Sequence, residues 1–172
     1  MKIGVISDTH IEGPDYGLCE IVEKHFYDVD LILHAGDLGR LSVPKVFGEK
    51  KVVAVHGNSD HSSVQSKLPR TDIVPIGRFR IGIIHGDGND TGQNFDEWIR
   101  NMEDRIREEF NDVDCIVYGH THYPVIHHRN GILFLNPGTP NPFARHFGRT
   151  SVGILEVGDD EITGQIIYLD EG

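Results

Sequence analysis

The apolar residues of this chain come in short runs divided by polar turns, and their spacing alternates between two periods. Residues 2–7 (KIGVIS) are β-branched with no helical period and predict a strand. Residues 18–26 place Leu18, Ile21, Val22 and Phe26 on one face of a helix. Residues 30–34 (DLILH) and 51–56 (KVVAVH) predict two further buried strands, with a short helix between them. This order is the grammar of a parallel sheet with helices packed outside it.

The pattern changes after a polar loop. Residues 73–76 and 79–85 read as a hairpin turning at Gly77-Arg78. Residues 95–110 carry Phe95, Trp98, Ile99, Met102, Ile106 and Phe110 at helical spacing, which predicts an amphipathic helix facing the core. Strands are expected next at 115–118, 125–128 and 132–135. A closing hairpin spans 151–157 and 162–169 around Gly158-Asp159-Asp160. The second half therefore reads as mostly antiparallel. No repeat, low-complexity tract or linker interrupts the pattern, so residues 1–172 are expected to form one mixed α/β domain. Two packed sheets with outer helices fit it best.

Charge narrows the function classes. Sixteen Lys and Arg against 27 Asp and Glu give a net charge of −11, which argues against long nucleic acids and anionic membranes as partners. The N-terminal apolar run stops at Asp8, too short for a secretory signal. No segment approaches the roughly 18 apolar residues of a membrane span. A cytoplasmic protein is expected, with Cys19 and Cys115 as two buried, reduced thiols. The unusual feature of the composition is eleven histidines, histidine being the commonest metal ligand.

The residues that terminate the strands are the most informative. The first strand runs into Asp8-Thr9-His10, the second into Gly36-Asp37 and the third into Gly57-Asn58-Ser59-Asp60. Two later strands run into His85-Gly86 and Gly119-His120-Thr121-His122. Each motif alone is an ordinary cap or turn. Together they differ, because the carboxyl ends of strands in an open α/β sheet converge on one crevice. Asp8, His10, Asp37, Asn58, His85, His120 and His122 would then share a cavity.

Imidazoles, carboxylates and an amide cannot be buried together without compensation. Divalent cations resolve the conflict, since every one of these groups is a ligand. Seven side chains exceed what one ion takes while keeping an open position, so two ions are expected. Two carboxylates leave such a site positive, which suits a phosphate anion.

In this arrangement the sequence resembles the calcineurin-like metallophosphoesterases, whose signature is DxH, GD, GN, a lone His before Gly, and GHxH. Asn136-Pro137-Gly138-Thr139 is similar to a motif of the family's small bacterial and archaeal phosphodiesterases. The resemblance implies a four-layer αββα sandwich with a dinuclear centre at one edge. It implies Asp8, His10 and His122 on one metal, Asn58, His85 and His120 on the other, and Asp37 bridging. It further implies a phosphodiesterase in which a hydroxide bridging two ions attacks phosphorus, with Mn²⁺ or Ni²⁺ ahead of Fe, Co or Zn. Asn58 would also steady the substrate phosphate, and Arg145 would contact the phosphate or leaving group.

The position after Asn58 departs from larger family members, which carry a histidine there as general acid. Here it is Ser59, whose hydroxyl has too high a pKa for that role. His61 is read as an exposed loop residue, and His34, His56, His127 and His128 as structural or as partners of the ligands. The expected substrate is a small phosphoester, with nucleotides among the candidates. Apolar Phe143 and Phe147 in a loop predict a homodimer. The alternatives are a phosphomonoesterase or nuclease on the same centre, or a non-catalytic scaffold resembling the retromer subunit of this fold.

Overall fold

The computed structural model describes residues 1–12, 16–144 and 149–169. The first half builds β1 (Lys2–Ile6), α1 (Tyr16–His25), β2 (Leu31–His34) and β3 (Lys51–Ala54). A 3₁₀ turn at Val43–Phe47 precedes β3, and the short helix α2 (Ser62–Gln65) comes after it. Strands β1, β2 and β3 pair in parallel with Ile3 opposite Leu31 and Leu31 opposite Lys51. The second half contributes β4 (Thr71–Ile76), β5 (Phe79–Ile84), α3 (Phe95–Glu108), β6 (Cys115–Val117), β7 (Val125–Arg129) and β8 (Ile132–Asn136). The chain ends in β9 (Ser151–Val157) and β10 (Ile162–Tyr168).

Two five-stranded mixed sheets result, ordered β10-β9-β1-β2-β3 and β4-β5-β6-β8-β7. The second half is mostly antiparallel by pairing, as its hairpins predict, but β5, β6 and β8 at the centre of its sheet are parallel. That detail aims the carboxyl ends of β5 and β6 in one direction. Meanwhile β9 crosses back to pair antiparallel with β1 in the first sheet.

The strand alternation places three apolar clusters. Ile3, Val5, Leu31 and Leu33 of one sheet meet Ile81, Ile83, Cys115, Val117 and Leu135 of the other in the central layer. Ile6 and Ile32 face outward onto Leu18 and Val22 of α1 and onto Phe26 just after it. On the opposite side Ile116 and Phe134 pack against Ile99, Met102 and Ile106 of α3. Layers therefore run helix, sheet, sheet, helix, the αββα sandwich expected. Helix α3 starts cleanly because the Asn94 side chain accepts the Glu97 N–H at 2.9 Å.

One expectation fails. Cys115 is buried, but Cys19 is exposed. The apolar stripe of α1 runs through Leu18 and Val22 and on to Phe26 just beyond its end, and Cys19 lies one position off it, turned to solvent. Burial pushes the Cys115 thiol well above its ordinary pKa, so it stays protonated and inert. A maleimide at neutral pH should label Cys19 alone in the folded protein, and both thiols in denaturant. Intact-mass measurement of two adducts without denaturant would contradict this burial. Among the described residues no helix is long and apolar enough to cross a membrane.

Candidate metal centre

All five strand-end motifs reach one edge of the sandwich. The loops after β1 and β2 are zipped together, with Asp8 N–H donating to Gly36 O and His10 N–H to Asp37 O, both at 3.0 Å. The sheets are tied across the central layer by His85, whose Nδ1 donates to Ala35 O at 2.8 Å. His120 N–H donates to Asp8 Oδ2 at 3.1 Å, which fastens the loop after β6 to the loop after β1.

The backbone here is forced. Asp8, His10, Asp37, His120 and His122 all have positive φ, between 48° and 69°. Among the described residues only Asp112 and Asn130 share this left-handed region without being glycine. Such conformations cost of order 1–3 kcal/mol each and persist where surrounding structure holds them, characteristically at functional sites. Neighbouring glycines are equally constrained. A Cβ on Gly57 would overlap Asp37 and come within 2.7 Å of the His85 ring. One on Gly119 would strike Ser7 and lie 2.7 Å from Asp8 Oδ2. Only hydrogen fits in either place, which explains the glycine in both motifs.

The side chains make two compact groups of candidate ligands: Asp8, His10 and His122, and Asp8, Asp37 and His85. Within each group one ligand atom per residue lies within 4.8 Å of the others. His122 Nε2 is 3.1 Å from Asp8 Oδ1, and His85 Nε2 is 3.3 Å from Asp37 Oδ2. Asp37 Oδ2 also approaches His10 Nε2 at 3.8 Å, so this carboxylate faces histidines of both groups. The groups themselves overlap at Asp8, whereas the resemblance places the bridge at Asp37. His120 adjoins through its ring, edge-on to His85 with centroids 5.3 Å apart. Asn58 is exposed on the loop after β3, its amide 3.4 Å from Ser59 Oγ. Arg145, along with His146 and Phe147, lies outside the described residues, while Arg149 packs over the Tyr168 ring at 5.3 Å.

Charge and tautomer both fit a cation. His85 Nδ1 is committed to Ala35 O and His122 Nδ1 to Ala144 O, so each ring turns Nε2 toward the carboxylates. A backbone carbonyl fixing the far nitrogen is the usual support of a metal-binding imidazole. Despite the close approaches of His122 to Asp8 and of His85 to Asp37, Asp8 Oδ1 and His85 Nε2 are buried atoms without a well-aligned hydrogen bond, and both point into the cluster. Burial opposes charge on Asp8, yet His122 and His85 hold its carboxyl below the ordinary range. Burial likewise opposes charge on His85, yet Asp37 and Asp8 raise it to about 9. These shifts let protons offset the carboxylates, a task that suits divalent cations better because one ion accepts lone pairs from several of these groups at once.

Several neighbours support these groups. Burial holds His34 neutral, with its pKa down to about 3. Thr9 donates its hydroxyl to Leu38 O, so the 3.1 Å contact with His34 runs from His34 Nε2–H to Thr9 Oγ. His34 thus touches Thr9, which stands between two candidate ligands, and contacts none of the ligands by hydrogen bond among the described residues. Asp60 is the residue sequence reasoning passed over. Buried, it accepts Gly39 N–H and Gly57 N–H at 2.8 Å each, clamping two motif loops together. Its signal was its place at the end of Gly57-Asn58-Ser59-Asp60. From the Asn-Pro-Gly segment, Thr139 Oγ donates to Asp8 O and Asn141 Nδ2 to Thr9 O. His61 is exposed as expected, and it pairs with Glu12 at 3.2 Å. His127 contacts buried Glu103 far along the chain at 3.1 Å, which also accepts the Tyr118 hydroxyl.

Known proteins share this architecture. The family model for the calcineurin-like phosphoesterase superfamily domain matches residues 1–160. A probable metallophosphoesterase of Methanocaldococcus jannaschii is 38% identical over 145 residues, covering 81% of this chain and 68% of its own length. Another from Methanothermobacter thermautotrophicus is 34% identical over 172 residues, covering 97% of this chain and 92% of its own. A phosphodiesterase of Methanocaldococcus jannaschii is 29% identical, covering 94% and 96% of the two chains. Among solved structures, zinc-complexed Vps29 from Entamoeba histolytica superposes with a TM-score of 0.74 at 24% identity, covering 100% of this chain and 94% of its own. An archaeal phosphodiesterase gives 0.69, also at 24% identity, covering 97% and 100%. At that identity the two structures speak for the fold alone.

Proposed function

The chain belongs to the calcineurin-like phosphoesterase superfamily, and on that footing we propose that it is a phosphodiesterase acting through a dinuclear metal centre. The observation that carries this reading is the buried cluster itself, two ligand groups sharing Asp8 at the carboxyl edge of both sheets. Asp8, His10 and His122 would hold one ion and Asn58, His85 and His120 the other, with Asp37 between them. Two divalent cations, Mn²⁺ or Ni²⁺ ahead of Fe, Co or Zn, would supply a water of lowered pKa and neutralise charge developing on the phosphoryl oxygens.

The chain's own residues do the rest. The left-handed backbone and the glycines beside it fix Asp8 and Asp37 before substrate arrives, so little reorganisation is needed. Asn58, exposed on the loop after β3, would also donate its amide to a phosphate oxygen. A small phosphoester suits an acidic protein better than a nucleic-acid strand, and a relative is itself described as a phosphodiesterase.

No imidazole occupies the place of Ser59, so the leaving oxygen departs as an anion or takes its proton from water. Rates should fall steeply as the leaving group's pKa rises, with aryl diesters outpacing alkyl diesters by about 10²–10⁴. The test is metal analysis of protein purified without chelator, then assay of substituted phenyl diesters, monoesters and a dialkyl diester with several metals. Two ions per chain and a steep dependence on leaving group are expected. At most one ion at saturation removes the dinuclear assignment, and monoesters cleaved faster than every diester removes the diesterase.

A further inference from the structure

A cavity of about 380 Å³ opens beside His10. His10 belongs to both places. Its Nε2 lies 3.8 Å from Asp37 Oδ2 within the cluster, while about a quarter of its side chain is open, 27% by area. A phosphoryl group held at the cluster therefore has this cavity directly next to it. That continuity identifies what could enter.

The larger part of the wall is apolar, from Ile11, Leu18 and Ile21 and from Pro140, Pro142 and Phe143. The polar groups present are already engaged. Asn141 donates to Thr9 O at 2.9 Å and accepts Phe143 N–H at 2.9 Å. Apart from His10, Glu12 is the only ionisable side chain among the described lining residues, and Arg40 and His61 hold its carboxylate at 3.3 and 3.2 Å. Among those residues no lysine or arginine faces the cavity, so they offer a second phosphate no charged partner. An uncharged apolar group gains van der Waals contact and loses no hydrogen bond.

Size and shape narrow the class further. A dry cavity of about 150 Å³ already admits benzene, so this one accommodates one or two fused rings. Phe143 stands 97% exposed at its rim. An aromatic side chain left bare beside an apolar cavity offers a face on which another ring stacks. We propose that this cavity binds a flat, uncharged aromatic group esterified to the phosphorus, with Phe143 as its stacking wall. The proposal rests on the phosphodiesterase reading of the neighbouring cluster.

The test uses probes that cannot be hydrolysed. Methylphosphonate, phenylphosphonate and 1-naphthylphosphonate are titrated calorimetrically into the Mn²⁺-loaded protein and into the Phe143→Ala variant. Phe143 is exposed, so the variant is expected to fold normally. In the wild type, naphthyl should bind at least ~10-fold tighter than methyl, with phenyl between. In the variant that preference should shrink to about 3-fold or less while methylphosphonate affinity holds. Equal affinities for the three probes in wild type overturn the proposal, as does a preference untouched by the substitution or no binding at millimolar probe. Sedimentation of both proteins addresses a second copy as the occupant. A wild-type dimer that dissociates on Phe143→Ala would assign the cavity to self-association and overturn the proposal. The two readings separate in one further case: if no ester is hydrolysed but the ring preference appears and is lost in the variant, the subsite stands and the diesterase falls.

Discussion

Replacing Asp37 with asparagine should abolish nearly all phosphoester hydrolysis, by about 10³-fold or more. The carboxylate is 2% exposed and faces His10 and His85 at 3.8 and 3.3 Å, so it borders both ligand groups. It also accepts the Ser59 N–H at 2.9 Å, which holds the loop carrying Asn58 against the cluster. Asparagine keeps the shape and loses the charge. Losing one outer partner of a metal ligand typically costs 10–100-fold, and losing a ligand that touches two ions should cost more. The comparison is with Asp60→Asn, which weakens only the loop clamp and should fall in that smaller range. Metal content measured on each variant separates lost binding from lost chemistry. An Asp37→Asn protein with near-normal activity and two bound ions would falsify the bridging role.

Chelation should destabilise the protein, and more so as pH rises from about 6.5 to 9. In the metal-free protein the Asp37 and Asp8 carboxylates overcome burial and raise the His85 pKa to about 9. A folded-state pKa above the unfolded value of about 6.5 adds stability that is complete below 6.5 and fades as pH climbs toward 9. His122 is raised in the same sense, against burial, by its contact with Asp8. Asp8 and Asp37 are depressed, and the stability they contribute is lost only in acid, outside this window. A bound cation needs those imidazoles deprotonated, so its affinity rises over the pH range where the metal-free protein weakens. With free metal about 100-fold above Kd, binding adds roughly 2.7 kcal/mol, or about 5–10 °C in Tm for a chain of this length. Calorimetric scans with and without chelator at pH 6.5, 7.5 and 8.5 should show the gap widening. A gap that is constant or narrows with pH would mean that protons and metal do not compete at His85.

Much of this molecule is legible in its sequence. The short apolar runs of residues 2–7 and 30–34, which lack a helical period, and the helical stripe of Leu18, Ile21, Val22 and Phe26 specify β1, β2 and α1 because each residue type obeys a local rule of burial. The same logic located α3 and the closing hairpin. The candidate ligands were legible for a different reason. Five strands each ended in Asp, Asn or His, and carboxyl ends of parallel strands must emerge on one side.

What the sequence by itself determined, then, was which residues form the elements and which side chains gather at one edge. Tertiary structure alone decided how they meet. Return of β9 to the first sheet, and the parallel β5, β6 and β8 at the centre of the second, depend on pairings between segments distant in the chain. No local pattern encodes such pairings, since strands of like hydrophobicity are interchangeable until packing selects among them. The left-handed backbone at Asp8, His10, Asp37, His120 and His122 was equally invisible, because non-glycine residues enter it only when surrounding contacts hold them there. The clamp by Asp60, the solvent-facing Cys19 and the apolar cavity at Phe143 have the same origin. Each depends on what stands opposite in space, and that is fixed only when the two sheets close over their common core.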